Sequence, residues 1–149
     1  MSDPFVLGMD GYLYYNTTGV DGSGSWVELD NVKNLTSNLE SAEADVTTRN
    51  NNGWRATTPT LKDASIEFEM VWDPTDAGFT AIKNAYLNNT TLGIMALDGS
   101  SATSGSQGPK FDGRVMSFSR AEDLEEAMMV SVTIKPTYSA TAPTWYTVP

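Results

Sequence analysis

The chain contains no cysteine and no histidine. The absence of cysteine excludes disulfide bonds and thiolate chemistry, and it fits a reducing compartment. The absence of histidine excludes Ser–His–Asp triads, histidine general bases and nearly all zinc sites. We therefore expect a protein that is not an enzyme, with no catalytic residues, no cofactor and no metal ion.

Positive charge is also scarce. Nine Lys and Arg stand against nineteen Asp and Glu, which gives a net charge of −10. Proteins that read DNA or bind anionic membranes need clustered positive charge, so neither function is expected. DNA could still pass nearby without being bound. Residues 1–4 have no charged-then-apolar pattern, which predicts no signal peptide, and no apolar run approaches the length of a membrane span.

The most informative stretch is residues 61–89, which predicts a strand, a corner and a helix. Ile66, Phe68 and Met70 alternate with polar residues, as expected for a half-buried strand. Asp73 is a suitable helix N-cap before a proline. An apolar stripe follows, and the helix is predicted to end at Asn88 and Asn89. The stripe consists of Phe79, Ile82 and Tyr86, with Ala81 and Ala85 beside it.

Most of the remaining chain has the alternation of strands. Asp10 and Gly11, between two apolar runs, predict a hairpin turn or else a bulge within a single strand, and Asp112 and Gly113 predict a bulge or turn within a strand. The predicted strands cover residues 26–29, 91–97, 110–120 and 127–135. We therefore predict one domain, residues 1–149, that is mainly β: an antiparallel β-sandwich or barrel with one flanking α-helix.

Residues 31–60 are unusual because they contain few large apolar residues and alternate only weakly. Two interpretations remain open. The segment is either an extended arm or hairpin that contacts another chain, or a long surface loop with a poorly packed edge strand. The C-terminal segment, about residues 137–149, is predicted to be extended and could dock on a neighbouring molecule.

Other candidate sites are weak. The carboxylates of Glu67 and Glu69, and those of residues 122–126, are best explained as solvated surface charge. The acidic turn lacks the ligand spacing of a calcium loop. Trp54 and Trp145 lie in polar surroundings, where exposed aromatic residues indicate an interface or a ligand surface.

Seven segments together resemble the tail tube proteins, or major tail proteins, of long-tailed bacteriophages. They are residues 43–49 (EADVTTR), 53–54 (GW), 61–66 (LKDASI), 72–74 (WDP), 115–118 (VMSF), 124–127 (LEEA) and 132–137 (VTIKPT). The resemblance implies a β-sandwich with one helix, whose copies form hexameric rings that stack into a hollow tube. It also implies a tape-measure protein inside the tube, and tail terminator and baseplate proteins as further partners.

In such a tube, double-stranded DNA passes through the lumen on its way to the host without specific binding. The implied location is the virion tail, and the host cytoplasm during assembly. The resemblance further implies that Asp45, Arg49 and Trp54 lie at a subunit interface. Two alternatives remain: a tube protein of a type VI secretion or contractile injection device, and a carbohydrate-binding β-sandwich module that uses Trp54 or Trp145.

Overall fold

A computed structural model describes residues 11–122, 124–125 and 127–149. The described residues form one antiparallel sheet of eight strands with one α-helix, α1, and a short 3₁₀ turn, so the predicted mainly β fold with a flanking helix is confirmed. The predicted hairpin at Asp10 and Gly11 lies partly outside the described residues. The elements are β1 Tyr12–Asn16, β2 Val27–Glu28, β3 Val32–Asp45, the 3₁₀ turn Arg49–Asn51, β4 Thr57–Val71, α1 Ala77–Asn88, β5 Leu92–Leu97, β6 Gln107–Ala121, β7 Met129–Pro136 and β8 Thr144–Thr147.

The sheet is rolled. Its strand order is β2-β1-β5-β6-β7-β4-β3, and β8 pairs with β6. β2 and β3 are therefore the two edges of the sheet, although only residues 29–31 separate them in the chain. Four Cα steps span at most about 14 Å, so the end of one edge strand must lie close to the start of the other. One face of the sheet is thereby enclosed.

The enclosed face holds the main core. Ile66 pairs with Ile134, and Phe68 pairs with Val132, so the apolar faces of β4 and β7 are in register. All four side chains are buried. The predicted alternation of these two strands is confirmed. The helix contributes its own buried residues to this core: Gly78, Phe79, Ile82 and Ala85.

The helix begins later than predicted. Asp76, not Asp73, is the N-cap, and its carboxylate accepts a hydrogen bond from the Phe79 N–H at 2.9 Å. Asp73 instead accepts from the N–H and hydroxyl of Thr75, at 3.1 and 2.6 Å. Because its carboxylate is bonded to Thr75, Asp73 belongs to the turn before the helix and does not cap it. The predicted end is confirmed, because Asn89 adopts the left-handed conformation with φ of 53°.

The apolar stripe of the helix also differs in one residue. Tyr86 is 41% exposed and is not part of the buried core. Its ring stacks on that of Phe118, with 6.3 Å between the centroids. Ala85 is the buried residue at this level of the helix.

β6 has its irregularity at a different place from the prediction. Asp112 and Gly113 pair regularly with β5, whereas the register with β7 shifts between Val115 and Ser117. The bulge at this point lets Val115 and Phe118, three residues apart, both pack on the core.

The C-terminal segment docks on its own chain. Thr144 to Thr147 form β8, which pairs with residues 107–110 of β6. The ring of Tyr146 packs against a second, smaller cluster on the other face of the sheet. The Lys110 ammonium lies 4.4 Å from the centroid of that ring and 5.4 Å from that of Trp26, so cation–π contacts help to hold the strand.

Candidate self-association surface

A long hairpin projects from the body of the sheet. β3 and β4 pair from Val32 with Met70 as far as Asp45 with Thr57. β7 covers β4 only from Ile66 to Val71. Residues 38–65 therefore pair only within the hairpin, and we call them the projecting hairpin. The sequence left two interpretations of residues 31–60. The structure shows a regular antiparallel hairpin there and not a long surface loop.

Both faces of the projecting hairpin are exposed. Ala64, at its base, is its one buried residue. Several large apolar side chains are open to solvent; they are Leu39, Val46, Trp54 and Leu61, which are 60%, 47%, 78% and 81% exposed. A two-stranded hairpin that buries so little is only marginally stable alone, and clustered exposed apolar residues are typical of interaction surfaces.

The end of the hairpin, residues 46–56, is called the tip. Two hydrogen bonds, one to a side chain and one between backbone groups, join its two ends. The Ala56 N–H donates to the Thr47 hydroxyl at 2.8 Å, and the Val46 N–H donates to the Ala56 carbonyl at 3.0 Å. The chain then reverses through the 3₁₀ turn, Asn52 and Gly53, with φ of 55° at Asn52 and 83° at Gly53. A positive φ is easily adopted by Gly and tolerated by Asn, so these residue types suit the reversal.

The structure brings the three predicted interface residues together at this end of the hairpin. Asp45 ends β3, Arg49 begins the 3₁₀ turn and Trp54 follows it, and all three are exposed. The Asp45 carboxylate accepts the Thr47 N–H at 2.9 Å. The Thr47 hydroxyl, and then its N–H, lower the pKa of Asp45 below the usual 3.8. In the described part of the chain, Arg49 forms no ion pair.

A groove at the base of the hairpin was not predicted. Its volume is about 510 Å³, and Leu39, Ala64, Phe111 and Trp145 contribute to its wall. The Trp145 ring N–H donates to the Gln107 side chain at 2.9 Å. Trp145, an aromatic residue in a polar tail, was the sequence signal for this region, but its partners across the sheet could not be predicted from the sequence.

Trp54 and Trp145 do not form one platform. Trp145 lies beside the hairpin base, where Leu39 pairs with Ala64, whereas Trp54 lies beyond the pair of Asp45 with Thr57. Six residues of strand separate the two levels, which corresponds to about 20 Å. A sugar surface that uses both rings is therefore not formed within one chain.

The described residues contain no group of three or more Asp, Glu, Cys or His side chains that could hold a metal ion. Asp123 and Glu126, which belong to the acidic turn, lie outside those residues. No helix in the described ranges has the length and apolar character needed to cross a membrane.

Comparison with solved structures identifies the architecture. No protein-family model and no curated protein sequence matches the chain. The SPP1 tail tube superposes with a TM-score of 0.71 at 18% identity, over 88% of this chain and 75% of the other. The chain has the fold of tail-tube subunits. A GTA tail with C6 symmetry gives 0.67 at 15% identity, over 94% of this chain and 98% of the other.

The same tail-tube fold extends to contractile systems. The sheath–tube complex of an extracellular contractile injection system in its extended state gives a TM-score of 0.62 at 10% identity. That match covers 98% of this chain and 94% of the other chain. The similarity in fold therefore extends over nearly the whole of both chains.

Proposed function

We propose that this protein is the structural subunit of a bacteriophage tail tube. Six copies form a ring, and stacked rings form the hollow conduit through which genome DNA reaches the host. The observation that supports this most strongly is the shared fold with a C6-symmetric tail, which covers 94% of this chain and 98% of the tail subunit.

The edges of the sheet support ring formation. Among the described residues, β2 pairs only with β1, and β3 pairs only with β4. Exposed strand edges promote uncontrolled pairing between molecules unless they are covered. A closed ring covers them, because each copy presents the same pair of edges to its two neighbours.

The projecting hairpin supports contacts between copies. Asp45, Arg49 and Trp54 are the interface residues that we assign to its outer end. A large exposed aromatic ring gains the most from such a contact, because aromatic residues dominate the binding energy of protein interfaces. Trp54, which is 78% exposed in the single chain, is therefore the expected anchor.

The net charge of −10 suits a conduit for DNA. An acidic wall repels the phosphate backbone, so DNA can slide without binding. In this function the chain is not an enzyme, and its partners are a tape-measure protein in the lumen and tail terminator and baseplate proteins at the tube ends. It resides in the virion tail, after assembly in the host cytoplasm.

The two alternatives are not supported equally. The fold is shared with a contractile injection system, so a tube subunit of such a device has the same structural support. A carbohydrate-binding module is not favoured, because the matched structures are tails and tubes and the two candidate tryptophans lie on separate parts of the chain.

Electron microscopy of the purified protein tests the proposal. Negative-stain images over a range of concentrations should show sixfold rings at low concentration and tubes at high concentration. Light scattering after size exclusion should give a mass that rises with concentration. A protein that stays monomeric throughout, and that binds glycans on an array, would contradict the tube function.

A further inference from the structure

The groove at the base of the projecting hairpin continues across the end of β5. A second hollow of about 460 Å³ adjoins it, and Leu39, Pro109 and Trp145 line both. We call the joined surface the basal groove. Four strands contribute to its wall, since Leu39 belongs to β3, Leu97 to β5, Pro109 to β6 and Trp145 to β8. A segment that occupies this groove contacts all four strands at once.

The wall of the basal groove is mainly apolar and incompletely covered. Phe111 forms part of it and is only 1% exposed, whereas Leu39 and Trp145 are 60% and 59% exposed. Pro109 and Pro143 add further apolar surface. The charged residues of the wall are Glu40, Lys62, Asp63 and Asp98. Contiguous apolar surface of this kind is typical of a site that another apolar segment covers.

The described part of the chain begins beside this groove. Tyr12 pairs with Leu97, so the two strands lie about 5 Å apart at that point. Leu97 and the next residue, Asp98, both line the groove. Gly11, one step before Tyr12, is the first described residue. Residues 1–10 are therefore joined to the body of the protein at the edge of the basal groove.

The apolar run of residues 5–9, Phe-Val-Leu-Gly-Met, has a composition that suits this wall. The run contains no charged side chain, and Asp3 and Asp10 lie outside it. Its residues lie two to six steps before Gly11, which corresponds to a reach of about 7–20 Å. The apolar run can therefore enter the groove without crossing the body of the protein.

Both sides of β1 are already paired. β5 pairs with β1 along residues 12–16. On the other side, β2 pairs with Tyr14 and Tyr15, and the Leu29 N–H donates to the Leu13 carbonyl at 2.8 Å. A strand position beside residues 13–15 is therefore not free for the apolar run, which needs another apolar surface within its reach.

We propose that residues 5–9 dock in the basal groove of their own chain, and that Phe5 and Leu7 cover Leu39 and Trp145. Docking removes apolar surface of both the segment and the wall from water, which is favourable. It also connects β8 to the base of the projecting hairpin, because the docked segment contacts both. The inference concerns the single chain, and it holds whether or not the protein forms tubes.

An engineered disulfide tests this docking without background, because the protein contains no cysteine. In the variant L7C/L39C, docking brings the two thiols together, and a disulfide needs Cα atoms within about 7 Å. The variant L7C/L87C is the matched control, since Leu87 is 65% exposed but lies on α1, beyond the opposite end of β5. Residue 7 lies at most about 14 Å from Gly11, whereas β5 alone spans about 17 Å.

The variants are compared in the monomeric protein, diluted below the concentration at which it assembles. Oxidised glutathione is added, and the products are followed by non-reducing electrophoresis and mass spectrometry. L7C/L39C should form an intrachain disulfide at least about tenfold faster than L7C/L87C, at a rate independent of protein concentration. Equal rates would overturn the proposal. A product of twice the mass would also overturn it, because the occupant would then be a second copy.

An NMR measurement on chains without introduced cysteines checks the same contact. The Trp145 indole N–H donates to the Gln107 side chain at 2.9 Å, and W145F identifies its peak by loss of the signal. The variant L7D should move that peak, because an unpaired carboxylate is costly in an apolar groove. L87D, the same change at an exposed site, should leave the peak in place.

A Trp145 peak at the same position in L7D and the unchanged protein would contradict the docking. Neither measurement involves rings or tubes, so the proposed docking and the tube function succeed or fail independently.

Discussion

Asp112 on β6 binds Ser139, 27 residues further along the chain, with 2.5 Å between Oδ2 and the serine Oγ. The other carboxylate oxygen of Asp112 accepts a hydrogen bond from the Val20 N–H at 2.7 Å. Its backbone carbonyl accepts one from the Thr137 N–H at 3.0 Å. One residue therefore connects the loop after β1 and the segment after β7 to the centre of the sheet. This network also explains why Asp112 does not mark a turn, although the sequence suggested one.

Replacing Asp112 should destabilise the folded chain. The substitution Asp112→Ala removes both carboxylate hydrogen bonds and should lower the free energy of unfolding by about 1–3 kcal/mol, since bonds to a charged acceptor are stronger than neutral ones. Ser139→Ala, the comparison variant, removes the hydroxyl that donates to Asp112 and accepts the Thr141 N–H at 3.1 Å, but it leaves the bond from Val20 to Asp112 in place, and it should cost about 1 kcal/mol. Urea unfolding followed by tryptophan fluorescence measures both changes. Equal stability of Asp112→Ala and the unchanged protein would show that the network does not hold the two segments.

β4 begins in the projecting hairpin and ends in the core. Substitution by alanine should therefore affect stability differently at two of its residues, one in each part. Ile66 is 1% exposed, whereas Leu61 is 81% exposed. Ile66→Ala leaves a cavity and should lower the free energy of unfolding by about 2–4 kcal/mol. Leu61→Ala should change it by less than about 0.5 kcal/mol, because little of the side chain is buried. Urea unfolding at a concentration where the protein is monomeric measures both.

Leu61→Ala should nevertheless impair assembly if the projecting hairpin contacts other copies. The concentration needed for tubes, read by electron microscopy, should then rise while the monomer remains stable. A marked loss of monomer stability in Leu61→Ala would mean that the hairpin packs on its own chain. That result would remove the main structural argument for an exposed self-association surface.

The alternating strands were predictable because burial repeats with the period of a strand. Ile66, Phe68 and Met70 on β4, like Val130 and Val132 on β7, are buried where alternation places them. The residue that caps the helix was harder to predict, because two nearby Asp residues compete for that position. Asp73 and Asp76 both suit an N-cap by residue type, and the choice between them depends on the bonds to Thr75 and Phe79.

The candidate surface was only partly visible in the sequence. The low apolar content of residues 31–60 indicated an element that buries little, and Asp45, Arg49 and Trp54 all lie on its outer end. The groove beside Trp145 depends on β8 pairing with β6, a long-range contact that has no local signal.

Asp45 should titrate below its ordinary range. The Thr47 hydroxyl and N–H stabilise the charged carboxylate, so its pKa in the folded chain lies below 3.8. Because the folded pKa is the lower one, the contribution to the order of the tip is present above pH 3.8 and is lost as the pH falls through the folded pKa. A carboxyl-carbon NMR titration should therefore give a midpoint for Asp45 below 3.8.

The substitution Thr47→Val tests the cause, because it keeps the shape of the side chain and removes the hydroxyl. The Asp45 midpoint should move up towards 3.8, while Thr48→Val, the control, should leave it unchanged, since the Thr48 hydroxyl accepts from Asn50 instead. An Asp45 midpoint that is the same in Thr47→Val and the unchanged protein would show that the Thr47 hydroxyl does not stabilise the carboxylate, because valine keeps the N–H that donates to it at 2.9 Å. The lowered pKa of Asp45 would then have to come from the N–H of residue 47 alone.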